Sequence, residues 1–323
     1  MTKGQDNNNQ DGVCRGRLLQ LSSGVDLEVP GRKNAFAFME SHARQNPRPP
    51  SAMHPIATFS CALVTGASSG LGEEFALQLA PRVKQLVLVA RRESLLRDLA
   101  ARIGTRHPQL DIAVMAVDLA APDACGHLAG MLAERGLLAD LLVNNAGLGD
   151  YGEFATSEWS KITLMLRVNV EALTHLTHAL LPGMIHHGGG AIINVSSLAS
   201  LMALPDFAVY AATKAYVTSF SEALRLELRG HGIAVLAVCP GPVHTGFGAV
   251  AKRGERGRNM PGREWFHVPK EQVVAEALVA LGRNRARVYP GLRTAAAALV
   301  LSALPLVLLR CALAAHRSRQ GGK

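Results

Sequence analysis

Aromatic side chains are scarce, at 5% of 323 residues, although 48% of the chain is hydrophobic. A core without them has to be built from Ala, Val, Leu and Ile. That mix suits a buried parallel sheet covered by helices. Cysteines are also few. Cys14, Cys61, Cys125, Cys239 and Cys311 form no C-x-x-C pair and no Cys/His cluster at metal spacing. This excludes a zinc module and a disulfide framework, so no metal is expected, and an odd, scattered set argues for a reducing compartment. The start, MTKGQDNNNQDG, lacks the apolar stretch of a secretory signal, and a cytoplasmic location is expected. Long apolar runs are missing as well. The run 295–309 is interrupted by Ser302 and Pro305, and a membrane span wants about 20 apolar residues. Acidic residues are absent from 293–323, which carry Arg293, Arg310, Arg317, Arg319 and Lys323. The net charge of +9 therefore gathers mostly at that end, over a nearly balanced body. Nucleic-acid binding wants a basic stripe on one face, often with aromatics beside it, and neither is visible.

What is present divides into three regions. Residues 1–55 are rich in Asn, Gln, Gly and Pro without lasting periodicity. They read as a disordered or non-native extension with at most a short helix near 35–42. Residues 56–292 alternate between strand-like and helical patterns. The strand candidates are 60–65, 85–90, 111–117, 141–144, 191–196, 234–239 and 287–289. Helical patterns fall near 71–80, 93–104, 122–135, 158–187, 206–229 and 270–282. Alternation of this kind predicts a single-domain α/β fold, a doubly wound parallel sheet of about seven strands in the order 3-2-1-4-5-6. Ligands of such sheets sit at the carboxyl ends of the strands, which is where chemistry is to be sought. Residues 293–323 form an apolar, then basic, helix or tail.

Strand one runs into Thr65-Gly66-Ala67-Ser68-Ser69-Gly70-Leu71-Gly72 and then a helix. Gly66 suits a tight turn, Gly70 lets backbone approach a phosphate, and Gly72 lets helix and strand pack closely. Ser68 and Ser69 add hydroxyls. The helix start offers N–H groups to a pyrophosphate, so Gly66, Ser68, Ser69, Gly70, Leu71 and Gly72 are candidate cofactor-binding residues. About 20 residues on, where an NAD enzyme carries an acid for the ribose 2′-hydroxyl, stand Ala90, Arg91 and Arg92. A guanidinium there suits a 2′-phosphate. The expectation is NADP(H), with Arg91 the main determinant, against the plainer reading of a solvated helix start.

With its G-x-x-x-G-x-G spacing the chain resembles the short-chain dehydrogenase/reductase family over about residues 58–290. The resemblance implies a Rossmann-like fold and hydride transfer between nicotinamide and an alcohol or ketone carbon. It places Asp118, after strand three, against the adenine ring; an N-cap for the helix near 122 is the alternative. It lines Asn145, Ala146 and Gly147, after strand four, along the cofactor, with a structural role for Asn145 left open. Pro240, Gly241, Val243 and Thr245, after strand six, would lie beside the nicotinamide.

Ser197 ends strand five; Tyr210 and Lys214 follow on one helix at i, i+4 spacing. A phenol beside an ammonium should titrate lower than usual and serve as acid and base, while a serine hydroxyl steadies a developing alkoxide. Tyr/Lys spacing alone means only a helix pair. The case rests on where the helix sits. The resemblance matches Ser197, Tyr210 and Lys214 as catalytic and gives Lys214 a second role on the nicotinamide ribose. It adds Asn169, which would hold a relay water; a buried Asn bonded to backbone is the plainer reading. Ser196 would point to the opposite side of its strand and is excluded.

Leu148, Tyr151, Leu198, Leu204, Phe207 and Phe247 are candidate pocket walls, and the Gly-rich segment 244–269 reads as a loop that closes over a ligand. They point to a small hydrophobic alcohol or ketone of steroid, fatty-acyl or xenobiotic type. The segment 294–315 reads as a peripheral membrane contact, a cover for the substrate mouth, or a plain buried or dimer helix. The resemblance also implies a homo-oligomer paired through the long helices 158–187 and 206–229. A catalytically silent dinucleotide-binding regulator, or an isomerase or dehydratase on the same fold, remain as alternatives.

Overall fold

The computed structural model describes residues 59–251, 253 and 266–304. The extension 1–55 and the tail beyond Leu304 lie outside the described residues. So do most of the glycines expected in the closing loop.

The chain forms one sheet of seven parallel strands: β1 (Phe59–Thr65), β2 (Val83–Ala90), β3 (Asp111–Ala116), β4 (Leu141–Asn144), β5 (Gly190–Val195), β6 (Ile233–Val238) and β7 (Arg287–Val288). Their order is β3-β2-β1-β4-β5-β6-β7, the doubly wound, Rossmann-like order with β7 added beside β6. The helices are α1 (Gly70–Leu79), α2 (Glu93–Arg106), α3 (Ala124–Glu134), α4 (Trp159–Leu166), α5 (Leu173–His186), α6 (Ala208–Glu227), α7 (Phe247–Ala251), α8 (Lys270–Gly282) and α9 (Leu292–Ala303).

Successive strand residues point to opposite faces, and both faces are buried here. In β1, Ala62 and Val64 join one layer with Phe75, Leu79, Leu96, Ile103 and Val273 from α1, α2 and α8. Cys61 and Leu63 join the other with Leu128, Leu132, Leu176 and Leu224 from α3, α5 and α6. Each fully buried Leu or Val contributes roughly 1.5–3 kcal/mol of transfer free energy. Mostly aliphatic layers on both sides therefore hold the strands in register, with Phe75 the aromatic ring buried among the residues named.

The expected helix 158–187 is interrupted. Between α4 and α5 the segment Arg167–Ala172 is a π turn. Such widened turns recur where an inward side chain has a special task. Here the turn buries Asn169.

Candidate active site

The loop from β1 to α1 has the shape its glycines imply. Gly66 and Gly70 have φ of +65° and +63°. A Cβ on Gly72 would stand 2.3 Å from the Gly66 carbonyl oxygen and 2.4 Å from Asn145 Nδ2. Ser69 precedes α1 without a side-chain cap bond, which leaves the first helical N–H groups, at Gly70, Leu71 and Gly72, uncapped by Ser69. These features fit a pyrophosphate.

Asn145 braces this loop from behind. Its Nδ2 donates to the carbonyl oxygens of Thr65 at 2.9 Å and Gly66 at 3.3 Å. The Thr65 hydroxyl in turn accepts from the backbone N–H groups of Asn145 and Ala146, both at 3.0 Å. The Asn145 side chain is thus occupied by the fold, and of its cofactor role only the backbone remains. Thr65 was missed in the sequence, because a Thr at a strand end carries no signal of its own. Asn144 was also missed. It donates to Thr177 and Asn194 at 2.9 Å each, in a buried network that continues to Ser221.

Arg92, not Arg91, reaches the loop. Its Nη2 donates to the hydroxyls of Ser68 at 2.9 Å and Ser69 at 3.0 Å. Arg92 is the extended N-cap of α2, and Ala67 N–H bonds the Val89 carbonyl at 3.2 Å, so loop and strand end lie side by side. Arg91 is exposed next to it. Asp118 is exposed too. Its carboxylate accepts from Ala120 N–H at 3.1 Å, and the N-cap of α3 is Asp123, so the N-cap reading of Asp118 is corrected. Thr245 faces the loop from across the sheet, since a Cβ on Gly70 would lie 3.3 Å from the Thr245 Cβ. The Pro240 carbonyl accepts from Leu198 N–H at 2.9 Å, which joins the β6 turn to the Ser197 turn. Gly241 sits against Thr294 of α9, and Val243 bridges to Val268.

Ser197, Tyr210 and Lys214 meet at the end of β5. The Ser197 hydroxyl lies close enough to the Tyr210 phenol to favour its ionised form, and accepts from Ala199 N–H at 3.1 Å. Lys214 is 5% exposed; its Nζ donates to the Val195 carbonyl at 2.8 Å and stands 5.7 Å from the Tyr210 ring centroid. Ser196 turns away, donating to the Lys214 carbonyl at 2.8 Å, as its strand position requires.

The electrostatics correct one expectation. Lys214 does not bring the phenol down. Burial pushes Tyr210 up to about 12, against the opposing effect of the Ser197 hydroxyl. Burial also pulls Lys214 down to about 8. The phenol is enclosed by the rings of Phe207 and Phe247, with centroids 4.6 and 5.6 Å away, and desolvation of the phenolate outweighs a cation engaged elsewhere.

Asn169 is buried and hydrogen-bonded within the fold. Its Nδ2 donates to the Leu148 carbonyl at 2.9 Å and to Thr213 Oγ1 at 3.0 Å, and its Oδ1 accepts from Leu148 N–H at 2.8 Å. One Oδ1 lone pair remains for a further donor. That oxygen and Lys214 Nζ both border Gly147, whose Cβ would stand 3.5 and 3.4 Å from them. Around the phenol, Leu148, Tyr151, Leu204, Phe207 and Phe247 form one apolar cluster with Met165, Val209 and Ala251. Leu198 begins the neighbouring 3-10 turn and is not part of it. Among the described residues no cluster of His, Cys, Asp or Glu could hold a metal ion.

A glycine-turned loop on a doubly wound sheet, with Ser197 beside the buried Tyr210 and Lys214, fits the site of a dinucleotide-dependent oxidoreductase acting between CH–OH and C=O. The short chain dehydrogenase family model matches residues 60–256, and the chain belongs to that family. It is 33% identical over 228 residues to a very-long-chain 3-oxoacyl-CoA reductase-like protein of Arabidopsis thaliana, covering 68% of this chain and 69% of that one. Among solved structures, it is similar to a short-chain dehydrogenase from Sphingobium yanoikuyae in complex with NADPH. The TM-score there is 0.67 at 32% identity, over 75% of this chain and 92% of that one. It is also similar to the bulky-bulky ketone specific alcohol dehydrogenase of Comamonas testosteroni, with TM-score 0.62 and 28% identity over 77% and 96% of the two chains.

Proposed function

We propose that the protein is an NADP(H)-dependent oxidoreductase of bulky hydrophobic alcohols and ketones, with Tyr210 as general acid and base. The observation that carries this reading is the placing of the Tyr210 phenol within an apolar aromatic cluster, with Lys214 Nζ 5.7 Å from its ring and Ser197 at the same strand end. NADPH, when bound, supplies the hydride. Gly66, Ser68, Ser69, Gly70, Leu71, Gly72 and Arg92 would hold its phosphates, while Gly147, Lys214, Pro240, Gly241, Val243 and Thr245 would border its other end. Tyr210, fully protonated near neutrality, holds the proton that a ketone oxygen needs, and Ser197 orients that oxygen. Lys214 presents its charge from behind the tyrosine, and Asn169 fixes the backbone of Leu148 in the pocket wall. The NADPH complex of the Sphingobium relative supports the cofactor. The ketone specificity of the Comamonas relative and the name of the Arabidopsis one support a large apolar substrate.

Cofactor choice has a direct test. Arg92→Ala lowers kcat/KM with NADPH by about 10- to 100-fold, the equivalent of roughly 1.5–3 kcal/mol for a charge-assisted contact, and leaves NADH use unchanged. Arg91→Ala has the smaller effect. Equal use of both cofactors by the wild type overturns the NADP(H) assignment.

The proposal extends to a peripheral membrane contact through residues 294–315. Leu292, Leu299 and Val300 share one side of α9 and are 91%, 73% and 57% exposed, while Thr294 and Ala298 face inward. No helix among the described residues is long and apolar enough to cross a membrane. An apolar helix face followed by an acid-free basic tail suits an anionic lipid surface. Vesicles containing anionic lipid should float with the wild type, but not with the Leu292→Ser/Leu299→Ser/Val300→Ser variant. A wild type that stays off vesicles and pairs through α9 refutes this placement.

A further inference from the structure

Arg253, just past α7, is spread over the segment that follows β4. Its Nε donates to Asp150 Oδ1 at 2.8 Å and its Nη2 to Oδ2 at 2.6 Å. Nη1 donates to the Glu153 carbonyl at 2.9 Å and to Thr156 Oγ1 at 2.8 Å, and Nη2 also donates to Ser157 Oγ. All five N–H groups of the guanidinium are thereby engaged, which a lysine cannot reproduce. The pair is well covered, with Arg253 18% and Asp150 8% exposed.

Two glycines make room for this contact. Gly152 has φ +152°, and a Cβ there would stand 2.8 Å from Arg253 Nη1 and 2.9 Å from its Cζ. A Cβ on Gly149 would stand 2.7 Å from Phe247 Cζ and 3.1 Å from Ala251 Cβ. Between them, Tyr151 N–H donates to the Ala251 carbonyl at 2.9 Å. The β4 segment and α7 are thus joined at three successive points. The rings carried on the two sides, Tyr151 and Phe247, flank the pair Phe207 and Tyr210, with Tyr151 5.3 Å from Phe207 by centroid. Neither Arg253 nor Asp150 belongs to the phosphate loop or donates a proton in the proposed reaction.

We infer that Arg253 is a positioning residue: through Asp150 it holds α7, and with it Phe247, against the segment that follows β4, and so fixes the spacing of the apolar wall beside Tyr210. The inference rests on the proposed ketone reduction. A covered ion pair is an inefficient way to gain stability, because desolvation of both charges offsets their attraction. Its advantage is directional, in setting where α7 sits. Substrates are then sorted by size through a wall that cannot recede.

The test compares Arg253→Met, which keeps the apolar stem, with Arg253→Lys, which keeps the charge and loses the fork. Both should raise KM for the preferred bulky ketone by about tenfold and flatten the preference between bulky and slim ketones to a similar degree, with kcat changed by about twofold or less. Asp150→Asn should match them, and Asp150→Asn/Arg253→Met should be no worse than either single variant. A second readout needs no turnover. Tryptic cleavage at Lys252, Arg256, Arg258 and Arg263, the sites of 252–263 that every variant keeps besides position 253 itself, should accelerate in each variant by more than its shift in Tm explains. Faster cleavage with KM and size preference unchanged overturns the positioning role, and unchanged cleavage overturns the brace itself. If the wild type reduces no ketone, the proposed reaction fails while the tryptic arm still decides whether Arg253 anchors α7.

Discussion

Replacing Tyr210 by phenylalanine lowers kcat/KM for carbonyl reduction by about 10²- to 10⁴-fold, the range lost with a general acid, while NADPH binds as before. Phenylalanine keeps the ring between Phe207 and Phe247, so the substitution removes a hydroxyl and leaves the wall intact. The phosphate loop stands on β1 and does not use the phenol. Titration of NADPH by fluorescence, beside steady-state rates, separates the two effects. The pH behaviour follows from burial. With the phenol pushed up to about 12, Tyr210 is a ready acid for reduction across the neutral range. Alcohol oxidation needs the phenolate and should accelerate as pH rises toward that value. Any help from the Lys214 ammonium fades as pH rises through about 8. Stability carries the same sign. A folded phenol near 12 and an ordinary one near 10.0 mean that burial of the neutral form favours the fold below 10. That advantage is lost between the two values. Wild type should therefore lose stability relative to Tyr210→Phe over this interval, read by denaturant midpoints.

Gly72→Ala should be the most damaging change in the phosphate loop. The added Cβ meets the Gly66 carbonyl and Asn145 Nδ2, and neither can yield. One is backbone in a left-handed turn, the other an amide held by Thr65. Overpacking of this kind costs about 1–3 kcal/mol, and a loop pushed out of shape should bind NADPH at least about tenfold more weakly. Gly130→Ala in α3 is the control. Nothing lies within 4 Å of its Cβ, and a helix-interior alanine should stabilise by roughly 0.5–1 kcal/mol. Thermal unfolding of the two variants should move in opposite directions. A Gly72→Ala protein with wild-type Tm and NADPH affinity would refute the packing account of this loop.

Much of the fold was legible because both faces of each strand are buried and each run is short and aliphatic. The β4 limits 141–144 and α8 limits 270–282 agree with the structure, and other ends shift by one or two residues. The π turn at Arg167–Ala172 was not legible, since periodicity alone reads 158–187 as one helix and the break depends on where Asn169 finds partners. Ser197, Tyr210 and Lys214 were legible from spacing and position, and the structure brings them together. Their electrostatics were not. The i, i+4 spacing says that ammonium and phenol share a face, and says nothing of the Val195 carbonyl that takes the ammonium or the rings that desolvate the phenol. That Arg92 and not Arg91 touches the Ser68 and Ser69 hydroxyls was illegible for a similar reason: adjacent residues after a strand point apart, and only the path of the chain into α2 shows which turns back. Arg253 and Asp150 lie far apart in sequence. The glycines at 149 and 152 between larger residues were the only trace of their contact.

The central claim is that Tyr210 protonates a ketone oxygen as hydride arrives from a bound nicotinamide. It is tested most directly by following NADPH absorbance and alcohol formation together on a panel of bulky hydrophobic ketones. The expected result is one alcohol formed per NADPH consumed, with both signals abolished in Tyr210→Phe. NADPH that binds and is never consumed would point to a silent regulator. Substrate rearranged or dehydrated with no net change in NADPH would point to isomerase or dehydratase chemistry, and either result contradicts the account.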